Sequence, residues 1–379
     1  ECRKSADAYA RATVSKTGVL DCTKLHSYKY NEDLFKKITT IPDGKNHGLI
    51  FILDWSGSMS TVLMDTIKQL FNLIWFCKKV QIPFQVFAFS NEWNRYANYD
   101  ESQLGHYNLP FEHHEIKDGQ LIVENQFAMM EFLSSDVKKK DLEHHMLNIW
   151  RTAQILDSRG RWDNNYYYQA PHGLGLSGTP LNEALVSLNQ LIPQFKKKTG
   201  VQKIQCITLT DGEAHPISYN KHFVMQDGRD YMGSRSTMHG SVFIRDNNGK
   251  THFCGDNYHH LTASLIQQLR GKFPDVNFIG IRVLDNRESS SFIRRYAEFD
   301  QDKVADLQQQ WRKTKSVMVT DGGGYHAYFG LSSSALNQDS EFTVKEDATK
   351  AQIKTAFKKS LSAKKMNKKV LGQFMQYIA

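Results

Sequence analysis

No run of about 18 apolar residues occurs in this chain, which excludes a membrane-spanning helix by length. The longest greasy stretch, 70–77, is interrupted by Asn72 and reads as a core helix. Cysteine is scarce. Cys2, Cys22, Cys77, Cys206 and Cys254 are odd in number and far apart, and Cys77 and Cys206 fall in apolar patterns. That excludes a disulfide framework and points to reduced, mostly buried thiols in a cytosolic compartment. Neither Cys-x-x-Cys nor His-Glu-x-x-His occurs, so His239, His252, Cys254, His259 and His260 lack the spacing of a common zinc site. They read as surface and helix-start residues, and His113-His114-Glu115 lacks the i, i+4 geometry of a metalloprotease. There is no G-x-x-x-x-G-K-[ST] phosphate loop; residues 228–235 have glycine spacing but end Gly233-Ser234-Arg235, without the lysine. ATP hydrolysis by this chain itself is therefore not expected. There is no G-x-S-x-G elbow, and no oriented histidine base stands beside Ser56 or Ser58. Internal repeats and low-complexity linkers are also absent.

What is present is a globular composition. The chain has 379 residues, 40% hydrophobic and 12% aromatic, enough for one large or two modest domains. It begins at Glu1 rather than methionine, which suggests a fragment or processed form, and its first residues lack the apolar core of a signal peptide. Net charge is +8, and residues 349–379 hold eight lysines with no Asp, Glu or Arg. The tail thus accounts for the whole excess, and residues 1–348 are formally neutral. Its apolar positions, Ile353, Phe357 and Leu361, then Val370, Leu371, Phe374 and Ile378, fall at helical spacing. The first reading of 345–379 is a pair of amphipathic helices docked on their own domain with lysines outward. The second is nucleic-acid binding, but no arginine is present and the aromatics sit on the apolar stripe rather than among the lysines, where bases would stack.

Strands alternate with helices along the body. Strands are expected at 49–54, 84–89, 203–210 and 276–284, with short ones at 317–319 and 327–329 flanking Asp321-Gly322-Gly323-Gly324. Leu63, Ile67, Leu70, Phe71 and Ile74 mark a helix by their 3.6-residue period, and Ser134-Ser135-Asp136 reads as a cap for another through about Leu156. Further helices are expected at 179–198, 258–273, 289–297 and 303–312. The pattern argues an α/β fold with a doubly wound, mostly parallel sheet. Residues 1–47 form an N-terminal extension with helical composition over 5–15. Two long insertions, 91–125 and 213–257, interrupt a domain spanning 48–335; a hairpin is expected around Asp246-Asn247-Asn248-Gly249.

The chemistry gathers at element ends. Asp54-Trp55-Ser56-Gly57-Ser58-Met59 leaves the first buried strand with a carboxylate and two hydroxyls at i, i+2 and i+4. Alone, this is equally a helix N-cap or half of a site for a hard cation. Thr179 follows Gly178 at the start of a helix, with Pro180 in its first turn. Asp211 follows the strand 203–210, at the strand end where α/β sheets place ligands. Asp54, Ser56, Ser58, Thr179 and Asp211 can thus meet in one crevice, which favours the cation site. Gly173-Leu174-Gly175-Leu176-Ser177-Gly178 matches G-x-G-x-x-G but lacks the preceding strand and the acidic partner of a dinucleotide site. Its glycines read as letting the Thr179 loop come close to the cation.

In that order, the five residues resemble the metal-ion-dependent adhesion site of von Willebrand factor A domains, over about residues 48–285. The resemblance implies that Mg²⁺, or Mn²⁺ or Ca²⁺, binds through Ser56, Ser58 and Thr179, with Asp54 and Asp211 acting directly or through water. One coordination position stays open for a partner's carboxylate. Within the superfamily the chain looks most like the A-domain subunit of aerobic cobaltochelatase and its tailed-bacteriophage relatives, on Lys45-Asn46-His47-Gly48, the motifs around Asp54, Gly178 and Asp211, and the Lys-rich close. This resemblance implies a cytoplasmic protein-binding module that partners a MoxR-type AAA+ ATPase and a client bearing an acidic residue. Two alternatives stand beside it: a non-catalytic subunit of an ATP-dependent cobalt chelatase, and a phage factor that binds nucleic acid through its basic tail.

Overall fold

A computed structural model describes residues 47–91, 116–123, 126–158, 170–171, 173–212, 214–246, 248–255, 258–284, 287–297 and 300–332, with the backbone of 14–20 and 35–39. The chain divides into two units, the larger running from His47 to Leu371. In the smaller, strands β1 (Val14–Leu20) and β2 (Phe35–Thr39) pair antiparallel. Val14 and Ser15 therefore extend where a helical composition was expected to reach; the β-branched and apolar residues of 14–20 win over the preceding alanines. The expected helices of the tail, Cys2, Cys22 and residues 92–115 of the first insertion lie outside the described residues.

The larger unit is an α/β fold built on a seven-stranded, mostly parallel sheet. Its strands are β3 (His47–Asp54), β4 (Phe84–Ser90), β6 (Ala128–Ser134), β7 (Lys203–Thr210), β12 (Val276–Leu284), β13 (Ser316–Thr320) and β14 (Ala327–Ser332). The spatial order is β13-β14-β12-β7-β3-β4-β6, antiparallel only at its two ends. Every residue of β3 after His47, and every residue of β4, is buried. Such strands are covered on both faces, which is why they read as apolar runs without alternation. Helices α1 (Leu63–Val80) and α2 (Lys139–Leu156) pack on each other, as do α3 (Leu181–Thr199) and α4 (Tyr258–Lys272), and α5 (Glu288–Tyr296) and α6 (Gln301–Thr314). This is the doubly wound arrangement.

Three local readings need correction. β6 is an antiparallel edge strand against β4. Ser134 ends that strand and Ser135 accepts from the Phe84 amide at 3.0 Å, so neither caps α2, whose N-cap position is Lys138 without a side-chain bond. Pro180 stands at the N-cap position of α3, one residue before its first turn. The second insertion holds more than the expected hairpin of β10 (Phe243–Arg245) and β11 (Thr251–Phe253). It also forms β8 (Ser218–Val224) and β9 (Asp230–Ser236), and β5 (Leu121–Ile122) from the first insertion joins β8. The two insertions thus share one small sheet.

The chain order across the main sheet defines a crevice. From β3 it moves outward to β4 and β6, then returns to β7 on the other side of β3. The C-terminal ends of β3 and β7 are therefore a topological switch point, the place where open α/β sheets bind ligands.

Candidate metal centre

Asp54 is the last residue of β3 and is wholly buried. Asp211 follows β7 directly and is half-buried. Parallel pairing in register, Leu53 with Leu209, brings the two carboxylates to one edge. Past Asp54 the chain is pinned: the Trp55 amide donates to the Phe89 carbonyl at 3.1 Å, and the Gly57 amide donates to the Ser177 carbonyl at 2.7 Å. Ser56 and Ser177 form a parallel bridge. This contact docks the glycine-rich loop that carries Thr179 onto the loop that carries Ser56 and Ser58.

Two side chains hold that loop in place. The buried Trp55 indole donates from Nε1 to the Leu174 carbonyl at 2.8 Å and meets Phe132 edge to face at 4.9 Å. Asn91, just past β4, accepts the Gly178 amide on Oδ1 at 2.7 Å. A Cβ on Gly178 would lie 2.8 Å from that oxygen, so a larger residue there would push the Asn91 amide aside.

A hydrogen-bonded chain runs through the crevice. Ser58 donates from Oγ to Asp211 Oδ1 at 2.7 Å, and the Ser56 hydroxyl lies 3.0 Å from that of Ser58. With Ser58 committed to the carboxylate, Ser56 is the donor in the second bond. Thr210 donates from Oγ1 to Asp54 Oδ2 at 2.5 Å and accepts the Gly212 amide at 3.0 Å. A Cβ on Gly212 would lie 3.5 Å from Thr179 Oγ1 and 4.0 Å from Ser58 Oγ, which places Thr179 beside the group. Asp54, Ser56, Ser58, Thr179 and Asp211 are therefore brought together, although they come from three separate segments.

Thr210, Asn91 and Trp55 were not singled out from sequence. Thr210 ends a buried strand immediately before an Asp, and Asn91 follows another strand end; a polar residue at the exit of an apolar strand is the signal that could have found both.

The electrostatics are unfavourable as they stand. Burial pushes the Asp54 carboxyl up to about 7; the Thr210 bond opposes this and the charge of Asp211 adds to it. Burial also raises Asp211, against the Ser58 bond. Asp54 Oδ1 is buried with no hydrogen-bond partner among the described residues. Such an orphaned oxygen costs about 1–3 kcal/mol, more for a charged group. Among the described residues no three His, Cys, Asp or Glu side chains gather as metal ligands. The donor set is instead two carboxylates and three hydroxyls, all oxygen, which suits Mg²⁺, Mn²⁺ or Ca²⁺ and not zinc. Cys77, Cys206 and Cys254 are free and buried, with thiols pushed up to about 12, 12 and 11 by burial, and take no part.

The chain matches no known family profile and no curated protein. Among solved structures it is similar to two of the pilus adhesin SpaC from Lactobacillus rhamnosus GG. The open conformation is 12% identical at a TM-score of 0.33, over 85% of this chain and 30% of the adhesin. The second is 14% identical at a TM-score of 0.33, over 73% of this chain and 32% of the adhesin. The chain thus spans about a third of the adhesin's length. No described helix is long and apolar enough to cross a membrane.

Proposed function

We propose that this crevice binds a divalent cation, Mg²⁺ in the first place, and uses it to capture a carboxylate on a partner protein. One observation carries the reading: Asp54 and Asp211 converge at the switch point with three hydroxyls, and Asp54 Oδ1 lies buried without a hydrogen bond among the described residues. Ser56, Ser58 and Thr179 would hold the cation, with the two aspartates close by. The cation would supply a Lewis-acidic position for an incoming carboxylate. This chain's residues fix its place and neutralise it: two carboxylates balance a 2+ ion, and the rigid strand ends keep the hydroxyls aimed. Docking through the cation is the reading that this set of two carboxylates and three hydroxyls favours. The resemblance stated above adds a MoxR-type AAA+ ATPase as the partner class, whose ATP-driven movements would act through this bridge.

Calorimetric titration of the full chain with Mg²⁺ and Mn²⁺ tests the reading. One cation should bind per chain, and Asp54→Ala and Asp211→Ala should each abolish it. Bound Mn²⁺ should retain exchangeable water, seen in water proton relaxation, which added acetate displaces. Cation binding that survives both substitutions would overturn the assignment.

A further inference from the structure

The geometry points to a second binding surface, on the sheet shared by the two insertions, that takes single-stranded nucleic acid. Alternation in β8 places Tyr219, Lys221 and Phe223 on one face, and the register sets Arg235 opposite Tyr219 and Tyr231 opposite Phe223. Aromatic rings and cations are therefore interleaved on one face. The Phe223 and Tyr231 rings stack, 5.4 Å apart and 18° from parallel, over Gly233, where a Cβ would meet both rings at 3.1 Å. Tyr231 is 52% exposed. At its other end the face opens into a cavity of about 440 Å³ between Leu121 and Tyr219 on one side and Phe243 and Arg245 of the hairpin on the other. Phe243 is also exposed and lies 5.2 Å from Phe253.

Charge selects the occupant. Lys221, Arg235 and Arg245 make no ion pair among the described residues, whereas the neighbouring acids are engaged. Asp118 accepts the His222 amide at 2.7 Å, Asp227 holds Arg229, Asp230 faces His222 at 2.9 Å, and Asp246 accepts two amides of its own turn at 2.9 Å. Three cations without an ion pair among the described residues, beside the exposed rings of Tyr231 and Phe243 and the half-buried rings of Tyr219 and Phe223, call for a polyanion with flat apolar faces. A single strand offers both, phosphates for the cations and unstacked bases for the rings. An acidic peptide would satisfy the cations but leave the stacked pair bare.

Fluorescence anisotropy of the full chain with fluorescein-labelled dT20 and rU20 tests this. Both should bind with affinity that falls with NaCl concentration, and the two arms separate DNA from RNA preference. Tyr231→Ala and Phe243→Ala should each weaken binding about tenfold. Lys221→Gln and Arg235→Gln should each reduce the slope of log K against log salt by about one. EDTA should leave binding unchanged, which keeps this surface distinct from the cation site. These side chains are exposed or half-buried, and unaltered thermal melting of the variants confirms intact folding. Unchanged binding in the four variants, loss only when the lysines of 349–379 are changed to glutamine, or preference for a labelled Glu-rich peptide would each overturn the proposal.

Discussion

At the scale of single residues, two titratable groups, Asp54 fully buried and His326 half-buried, make opposite demands. Asp54 is costly as a carboxylate without a counterion, since burial and Asp211 both oppose its charge. Asp54→Asn should therefore raise the melting temperature of the cation-free protein by a few degrees, an expected gain of about 1–2 kcal/mol. It should also abolish the further rise that Mg²⁺ gives the wild type; differential scanning calorimetry with EDTA and with Mg²⁺ reads both. His326 works the other way. Its Nδ1 accepts the Phe278 amide at 3.0 Å, which requires the neutral ring, and burial, followed by the Arg270 charge, lowers its pKa from 6.5. Below pH 6.5 the unfolded chain takes up a proton that the folded chain resists, so stability is full above that pH and falls as pH drops through the folded pKa. Urea unfolding at pH 7.5 and 5.5, in an Asp54→Asn background that removes the opposite titration of Asp54, should show this loss, and a smaller one when His326→Asn is added, whose amide oxygen can accept the same bond without titrating.

At the scale of elements, the loop 173–179 is the segment that brings Thr179 to the site, held there by Trp55, Gly57 and Asn91. Gly178→Ala would place a methyl 2.8 Å from Asn91 Oδ1 and displace Thr179. Mg²⁺ affinity should fall about tenfold while melting without cation changes little, because Gly178 lies in a loop outside the apolar core. A calorimetric titration of this variant checks the split. The same scale shows what could be read from sequence. The strands of the parallel core were legible because they are buried on both faces and appear as unbroken apolar runs; 203–210 and 276–284 match the observed spans. β6, β8 and β9 were not. Their exposure is uneven, so no clean alternation marks them, and their pairing depends on partners distant in the chain. The metal-site candidates were legible because each follows an apolar strand or opens a helix. The residues that hold them, Thr210, Asn91 and Trp55, declare themselves only through contacts. The interleaving of rings and cations, sought in the tail, stands instead on β8 and β9, where it emerges from pairing across two strands.

At the scale of the whole molecule, one parallel pairing, β3 beside β7, assembles the crevice from residues as far apart as Asp54 and Thr210, 156 positions along the chain. Closing so long a loop carries an entropic cost that must be met before the site's donors can face one another. Order of events then follows from geometry. The core strands are expected to associate first and the loops at their ends to settle afterwards, so the proposed cation would have nothing to hold until the rate-limiting barrier is passed. Mg²⁺ should accordingly slow unfolding in stopped-flow denaturant jumps and leave the refolding rate where it is. On the proposed cation reading, the protein would keep its clock for folding independent of ion supply, while its lifetime in the native state would lengthen once the site is occupied.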